Sequence, residues 1–257
     1  MAGAPAPDPE TIIRQSVETI QSDWEQASRY SYIERDVESK RRAPATARTY
    51  KVLMIDGSPY NVVTAINDQP LSPREQAEEK RRLEREIAKR QHESARDHEK
   101  RIAKYLRDRA HDHEMLRAMV DAFQFQLTGE AGVDGHSCWV LDARPKPDYD
   151  ASTREGKILK GMQGRLWVDQ QTYQWVKVHA EVVRPVSFYG FLAKVGPGTE
   201  FDLEQTPVTD HLWLATRFSV RVKASTLGFL NEDSTDSETY RDYHVTPQAS
   251  ALLQSIK

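Results

Sequence analysis

Four histidines lie in the charged central stretch of the chain, and histidine is the side chain that most often binds transition metals. They are His92, His98, His111 and His113. One helix presents two ligands to the same ion when they are three or four residues apart, but the spacings within these two pairs are six and two. Neither pair therefore shares a helical face, and the neighbouring aspartates could recruit only a weakly bound ion. We expect a solvated charged surface here, with no metal site and no cofactor.

The thiol of Cys138 is the other group with reactive potential, and it is the only cysteine in the chain. It stands beside Trp139 in an apolar segment, so we interpret it as a small buried hydrophobe and not as a catalytic nucleophile. A single cysteine allows no intramolecular disulfide and no cysteine zinc site. The sequence contains no P-loop, dinucleotide fingerprint, nucleophile elbow or zincin signature. We therefore expect a protein that is not an enzyme.

Charge is abundant but balanced in this chain. Charged residues make up 29% of the sequence, the formal net charge is −3, and the mean hydropathy is −0.71. Acidic and basic residues are interleaved between Arg74 and Arg117, which predicts a solvated surface without general affinity for nucleic acid or anionic membranes. No apolar run is long enough to span a bilayer. The start, from Met1 to Asp8, has no signal-peptide features; it fits either an exported chain without its leader or an ordinary terminus.

The elements that would position any site follow from periodicity. Ile12, Ile13, Val17 and Ile20 predict a helix from Pro9 to about Ser28. Strict alternation then predicts strands, and Asp56-Gly57 between two alternating runs predicts a hairpin. Further alternating runs lie at 123–128, 137–142, 166–168, 176–182, 212–222 and 240–245, followed by a short C-terminal helix. Short connections between strands predict an α+β fold, an antiparallel sheet with helices on one face.

A long helical insertion at about 72–123 interrupts this single predicted domain of residues 1–257. Ser72, Pro73 and Glu75 form a strong helix start, with N-cap, N1 proline and capping box. No glycine or proline follows until Gly129. An unbroken helix over 73–122 would be roughly 75 Å long, so it must project or fold back. We expect its second half to pack on the sheet and its first half to be mostly solvated.

Several of these strands carry a family resemblance. The stretch Gly164-Arg-Leu-Trp-Val-Asp169, followed by Thr172 and Tyr173-Gln-Trp-Val-Lys-Val178, resembles a hairpin of the LolA/LolB-like superfamily. Asp210-His-Leu-Trp213 and the opening Tyr30-Ser-Tyr-Ile-Glu34 are similar to the pattern there as well. The superfamily contains bacterial lipoprotein carriers, outer-membrane lipoprotein-sorting proteins and stress-sensor domains. The resemblance implies a curved half-barrel sheet whose apolar mouth is covered by helices, and a location in the periplasm or cell envelope.

The candidate site is the apolar face of this sheet. Its cleft candidates are the inward members of the alternating strands: Leu166, Val168, Val176, Val178, Leu212, Leu214 and Phe218. These side chains could be ordinary core, or they could line a cleft that holds a lipid or an acylated chain. The alternative is a protein-interaction or envelope-stress sensor module that binds a protein partner through the inserted charged helix. The insertion is where this sequence departs from the family pattern, since it is far longer and more charged than a usual lid helix.

Overall fold

A computed structural model of the chain describes residues 7–188, 193–223 and 233–246. The predicted C-terminal helix and the side chains of His111 and His113 lie outside this part. The helices are α1 (Pro9–Ala27), α2 (Pro73–Gln91), α3 (Ala95–Ala122) and α4 (Arg154–Leu159). None of the helices in the described part of the chain combines the length and the apolar character that crossing a bilayer needs.

Most strands form one open antiparallel sheet, which confirms the predicted α+β class. The strands are β1 (Tyr30–Lys40), β2 (Ala43–Ile55), β3 (Ser58–Ile66), β4 (Gln69–Pro70), β5 (Phe123–Val133), β6 (His136–Pro145), β7 (Met162–Asp169), β8 (Trp175–Val182), β9 (Val186–Phe188), β10 (Ala193–Val195), β11 (Glu200–Thr209), β12 (Leu212–Val222) and β13 (Ser234–Val245). The eleven-stranded order is β4-β3-β2-β1-β13-β12-β11-β8-β7-β6-β5, and β9 pairs with β10 separately.

The predicted insertion is the connection between the two edges of this sheet. Strand β4 lies at one edge and β5 at the other, and α2 and α3 join them in sequence. The insertion folds as two helices and not as one. Ser94 caps the second helix by accepting from the Asp97 amide at 3.2 Å, and Glu93 pairs with His98 and Arg101 across the break.

Helix α1 packs on one face of the sheet, which we call the inner face. Asp8 caps the helix at the Thr11 amide, and Pro9 occupies its first turn. The side chains of Ile12, Ile13 and Ile20 are almost fully buried. They join one apolar cluster with residues in or just before strands β5 to β8. Its buried members include Phe123, Trp139, Leu141, Leu166, Val168 and Trp175.

Helix α2 packs on the opposite, outer face, so the prediction that helices lie on one face only is wrong. Leu83 and Ile87 are buried against Leu53, Ile55 and Val62 of β2 and β3. Strand pairing places Leu53 on the same face as Lys51 and Ile33, opposite to Tyr32 and Val52. The sequence pattern showed an apolar stripe on α2 but not which face of the sheet would receive it.

Helix α3 runs from the outer face to the inner cluster. Near its start, Arg101 donates to the Asp56 carbonyl at 3.1 Å and to Ser58 Oγ at 2.7 Å. Further along, Arg109 donates to the Trp24 carbonyl at the end of α1. The last turns pack into the α1 cluster through Leu116, Ala118, Met119, Val120 and Ala122. The second half of the insertion therefore packs as predicted, whereas the first half is anchored by two buried aliphatic side chains.

Candidate functional site

The register of the sheet shows which side chains share the inner face, because directly paired residues point to the same side. One continuous cross-strand row consists of Leu141, Leu166, Val178, Leu203, Phe218, Glu238, Asp36 and Arg48. A second row beside it consists of Ala143, Gly164, Ala180, Phe201, Val220, Asp236, Glu38 and Thr46. Both rows change from apolar to acidic between β12 and β13.

The apolar end of the rows is sealed by α1. Two polar side chains of α1, Ser16 and Asp23, fix this helix in addition to its isoleucines. Trp175 donates its indole N–H to Ser16 Oγ at 3.0 Å. Asp23 accepts from Gln174 Nε2 at 2.5 Å and from the Trp213 amide at 3.2 Å. These bonds satisfy buried polar groups that would otherwise be costly, so α1 is a fixed part of the core.

The seven predicted cleft residues divide between different environments. Leu166 and Val168 are buried in the α1 cluster, and Val178 is half-buried at the edge of that cluster. Val176 is buried in a separate cluster with Cys138 and Trp213, because a register shift between Trp167 and Val168 displaces it from the row. Leu212 and Leu214 are buried, and Phe218 is half-buried.

A half-buried apolar strip remains in the middle of the inner face. It consists of Val178, Ala180, Leu203, Phe218 and Val220. Val178 and Leu203 lie against the α1 cluster, whereas Phe218 and Val220 join none of the buried clusters formed by the described residues. This strip therefore has apolar area available to a ligand.

An acidic wall borders the strip on β13 and β1. It consists of Glu34, Asp36, Glu38, Asp236 and Glu238, all on the inner face by strand pairing. Four of them line an open cavity of about 550 Å³ together with Arg48 and Tyr50. Burial and the neighbouring Asp36 raise the pKa of Glu34 well above its usual range, and burial raises the pKa of Asp36 as well.

Three tyrosines close the acidic wall on the side of α3. The ring of Tyr32 lies 5.9 Å from that of Tyr240 and 5.2 Å from that of Tyr243. Burial is the main cause that raises the pKa of each of these phenols, so they remain neutral donors. Tyr240 donates to Glu238, and Tyr243 donates to the Ala215 carbonyl at 2.7 Å. The wall thus combines acceptor carboxyls with uncharged hydroxyls.

The sequence carries a signal for the acidic wall in two runs of alternating carboxylates. Glu34, Asp36 and Glu38 alternate along β1, as Asp236 and Glu238 do along β13. Alternating charges normally mark the solvent face of a strand. The pattern alone therefore does not predict that these carboxylates share a face with Phe218. The pairing of the first strand with the last one brings the two acidic runs together.

Among the described residues, the other candidates from the sequence form no reactive centre. Burial raises the pKa of the Cys138 thiol to about 11, so the thiolate form is scarce at neutral pH. His92 and His98 lie on either side of the helix break, and His98 pairs with Glu93 at 2.9 Å. Within the described ranges, no group of three or more histidine, cysteine, aspartate or glutamate side chains could hold a metal ion.

Comparison with known proteins finds similarity at the level of structure. No protein-family model matches the chain, and no curated protein matches its sequence. A LolA superfamily protein from Nitrosomonas europaea is 11% identical, with coverage of 96% of this chain and 98% of that chain and a TM-score of 0.38. A DUF1329 family protein from Desulfovibrio piger is 14% identical, with coverage of 98% and 100% and a TM-score of 0.37.

A third solved structure is a domain from Vibrio parahaemolyticus assigned to outer-membrane lipoprotein sorting. It is 10% identical, with coverage of 95% of this chain and 98% of that chain and a TM-score of 0.37. The chain is similar to these three solved structures over nearly the whole length of each.

Proposed function

We propose that this chain is a non-enzymatic cell-envelope protein that binds a lipid or acylated ligand on the inner face of its sheet. The observation that carries the proposal is the half-buried apolar strip around Phe218, whose paired neighbours on β13, Asp236 and Glu238, line an open cavity. Of the seven residues predicted from the sequence, Val178 and Phe218 belong to this strip. The other five are buried, Leu166 and Val168 under α1 and Val176 in a separate cluster.

The affinity that the strip would provide depends on the apolar area that a ligand covers. An acyl chain that covers about 200 Å² of apolar surface gains roughly 5 kcal/mol at about 25 cal/mol per Å². Association costs consume part of this gain, so a single chain would bind reversibly. Reversible binding is what a carrier or a ligand sensor requires.

Calorimetric titration with soluble single-chain decyl amphiphiles tests the proposal. We expect saturable binding to the wild-type protein and at least about fivefold weaker binding to Phe218→Ser, because the variant loses about one buried aromatic contact. Arg217→Ser is the matched control, since Arg217 is exposed and points to the outer face. Wild-type protein that binds no decyl amphiphile, or equal affinities for both variants, would contradict the proposal.

The alternative, a protein-interaction or envelope-stress sensor module, requires a partner on the inserted helices. Helix α2 exposes every side chain except Leu83, Ile87, Arg90 and two half-buried glutamates. Its exposed residues include no aromatic and no large aliphatic side chain, whereas strong protein interfaces concentrate their affinity in such anchors. Deletion of residues 74–109 is not a clean test of this alternative, because it would also remove Leu83 and Ile87 from their buried cluster.

A further inference from the structure

We infer that the ligand of the inner face is a lipid amphiphile with a cationic amine headgroup, held with its chain on the apolar strip and its headgroup at the acidic wall. This inference rests on the proposed function. It concerns the polar end of the ligand, about which an apolar strip alone says nothing.

The apolar strip and the acidic wall are direct neighbours. Phe218 pairs with Glu238, and Val220 pairs with Asp236. Adjacent strands are about 4.8 Å apart, so the first carboxylates lie about 5 Å from the strip along the sheet. Asp36 and Glu38 on β1 pair in turn with Glu238 and Asp236, which places them about 10 Å from it. One amphiphile can therefore contact both regions at once.

The acidic wall has more carboxylates than nearby cations. Lys40 pairs with Glu38 at 2.6 Å, and Arg48 lines the cavity. Asp36 Oδ1 is buried, and no described residue donates a hydrogen bond to it. Tyr50 lines the cavity as well. The phenols of Tyr32, Tyr240 and Tyr243 lie near Glu34, and Tyr105 and Arg109 of α3 lie near Tyr32.

Such a cluster is stable only if protons or a cation neutralise it. Two nearby carboxyls in a poorly solvated site cannot both ionise freely. Burial and the adjacent Asp36 raise the pKa of Glu34, and burial raises the pKa of Asp36, so this pair of neighbouring carboxyls favours a retained proton. An ammonium group would replace these protons and supply the donors that Asp36 lacks, whereas a carboxylate or phosphate headgroup would be repelled.

The test compares three amphiphiles with the same decyl chain by calorimetric titration: decyltrimethylammonium, decanoate and decyl glucoside. We expect the cation to bind at least about tenfold more tightly than decanoate, which corresponds to one favourable charge contact. Equal affinity for all three would overturn the cation inference and leave the proposed function intact. Absence of binding by all three would overturn the proposed function itself.

Matched variants locate the preference. The double change Asp36→Asn and Glu238→Gln should reduce the preference for the cation to within about threefold. The control is Asp202→Asn with Glu204→Gln, two acidic residues on the outer face of β11, where they pair with His179 and Lys177. Loss of preference in the control, or an unchanged preference in the inner-face variant, would contradict the assignment. Thermal unfolding of each variant checks that both remain folded.

Proton release distinguishes headgroup binding from simple adsorption. A cation at the wall lowers the pKa of the neighbouring carboxyls, so its binding should release protons near neutral pH. Titration in two buffers with different heats of ionisation measures this release. We expect proton release with decyltrimethylammonium and none with decyl glucoside. Tight binding of the cation without proton release would place its headgroup elsewhere.

Discussion

At the scale of single residues, the most consequential group outside the apolar strip and the acidic wall is Asp23. It is 2% exposed and fixes α1 to the segments that begin β8 and β12. Its second oxygen, Oδ1, and Oε1 of Gln174 are buried without a donor among the described residues. Burial raises the pKa of Asp23 to about 6. The carboxylate form is therefore tolerated at a cost, and the protonated form fits the site better.

This raised pKa predicts how the free energy of unfolding depends on pH. An aspartate in the unfolded chain titrates near 3.9, so the folded state retains the proton longer. The stabilising effect of that proton is fully present below about pH 4 and is lost as the pH rises through about 6. We expect the difference in unfolding free energy between wild type and Asp23→Asn to change by on the order of 2 kcal/mol over this interval.

Urea unfolding of both proteins across this pH interval measures the difference. Glu25→Gln is the control, because Glu25 is an exposed carboxyl on the same helix. A wild-type and an Asp23→Asn curve that run parallel with pH would contradict the assigned environment of Asp23.

A second residue-scale prediction concerns the β7–β8 turn. Asp169 Oδ1 accepts from the amides of Gln171 at 3.0 Å and Thr172 at 2.7 Å, and from the Thr172 hydroxyl at 2.8 Å. These bonds hold a turn in which Tyr173 adopts a positive φ of 60°. We expect Asp169→Ala to lower the free energy of unfolding by about 2 kcal/mol. Asp210→Ala, in the turn before β12, is the comparison, and equal losses would argue against this role.

At the scale of elements, the docking of α2 on the outer face can be measured directly. Leu83 is fully buried against β2 and β3. Truncation of such a side chain leaves a cavity, so we expect Leu83→Ala to cost about 3 kcal/mol. Arg85→Ala, an exposed change on the same helix, should cost less than about 0.5 kcal/mol. Chemical denaturation measures the free energy of unfolding of the two variants. A small loss for Leu83→Ala would contradict the packing of α2 on the sheet.

The sequence predicted local structure better than it predicted how elements face one another. The N-cap at Ser72, the helix start at Pro9 and the Asp56-Gly57 turn are confirmed, because capping and turn chemistry act within a few residues. The absence of glycine and proline in the insertion does not predict the break before Ser94, although Ser94 and Asp97 carry a capping pattern of their own. The outer-face position of α2 depends on long-range packing, which no local pattern encodes.

The same distinction explains the candidate site. Alternation identified Phe218 and Val178 as inward residues, and their strand pairing agrees with that. The alternating pattern did not predict the position of Val176. The pairing of β7 with β8 shifts by one residue beside it, and such a shift moves side chains to the other face. The acidic wall arises from pairing between β1 and β13, which are far apart in sequence. Only the three-dimensional structure brings its two halves together.

At the scale of the whole molecule, one sheet provides three consecutive surfaces on its inner face. They are the sealed cluster under α1, the half-buried strip around Phe218, and the acidic wall beyond it. The helices α2 and α3 join the opposite edges of the sheet. Because α1 is fixed by buried polar bonds, we expect ligand binding to leave α1 in place and to affect the strip and the wall.

The most direct measurement is a methyl NMR titration of the protein with decyltrimethylammonium. The account predicts that the methyl signals of Val178, Leu203 and Val220 shift together with the ligand, while those of Leu166 and Val168 under α1 stay constant. Shifts confined to the helices α2 and α3, or no shifts at saturating ligand, would contradict the claim that the inner face of this sheet is the binding site.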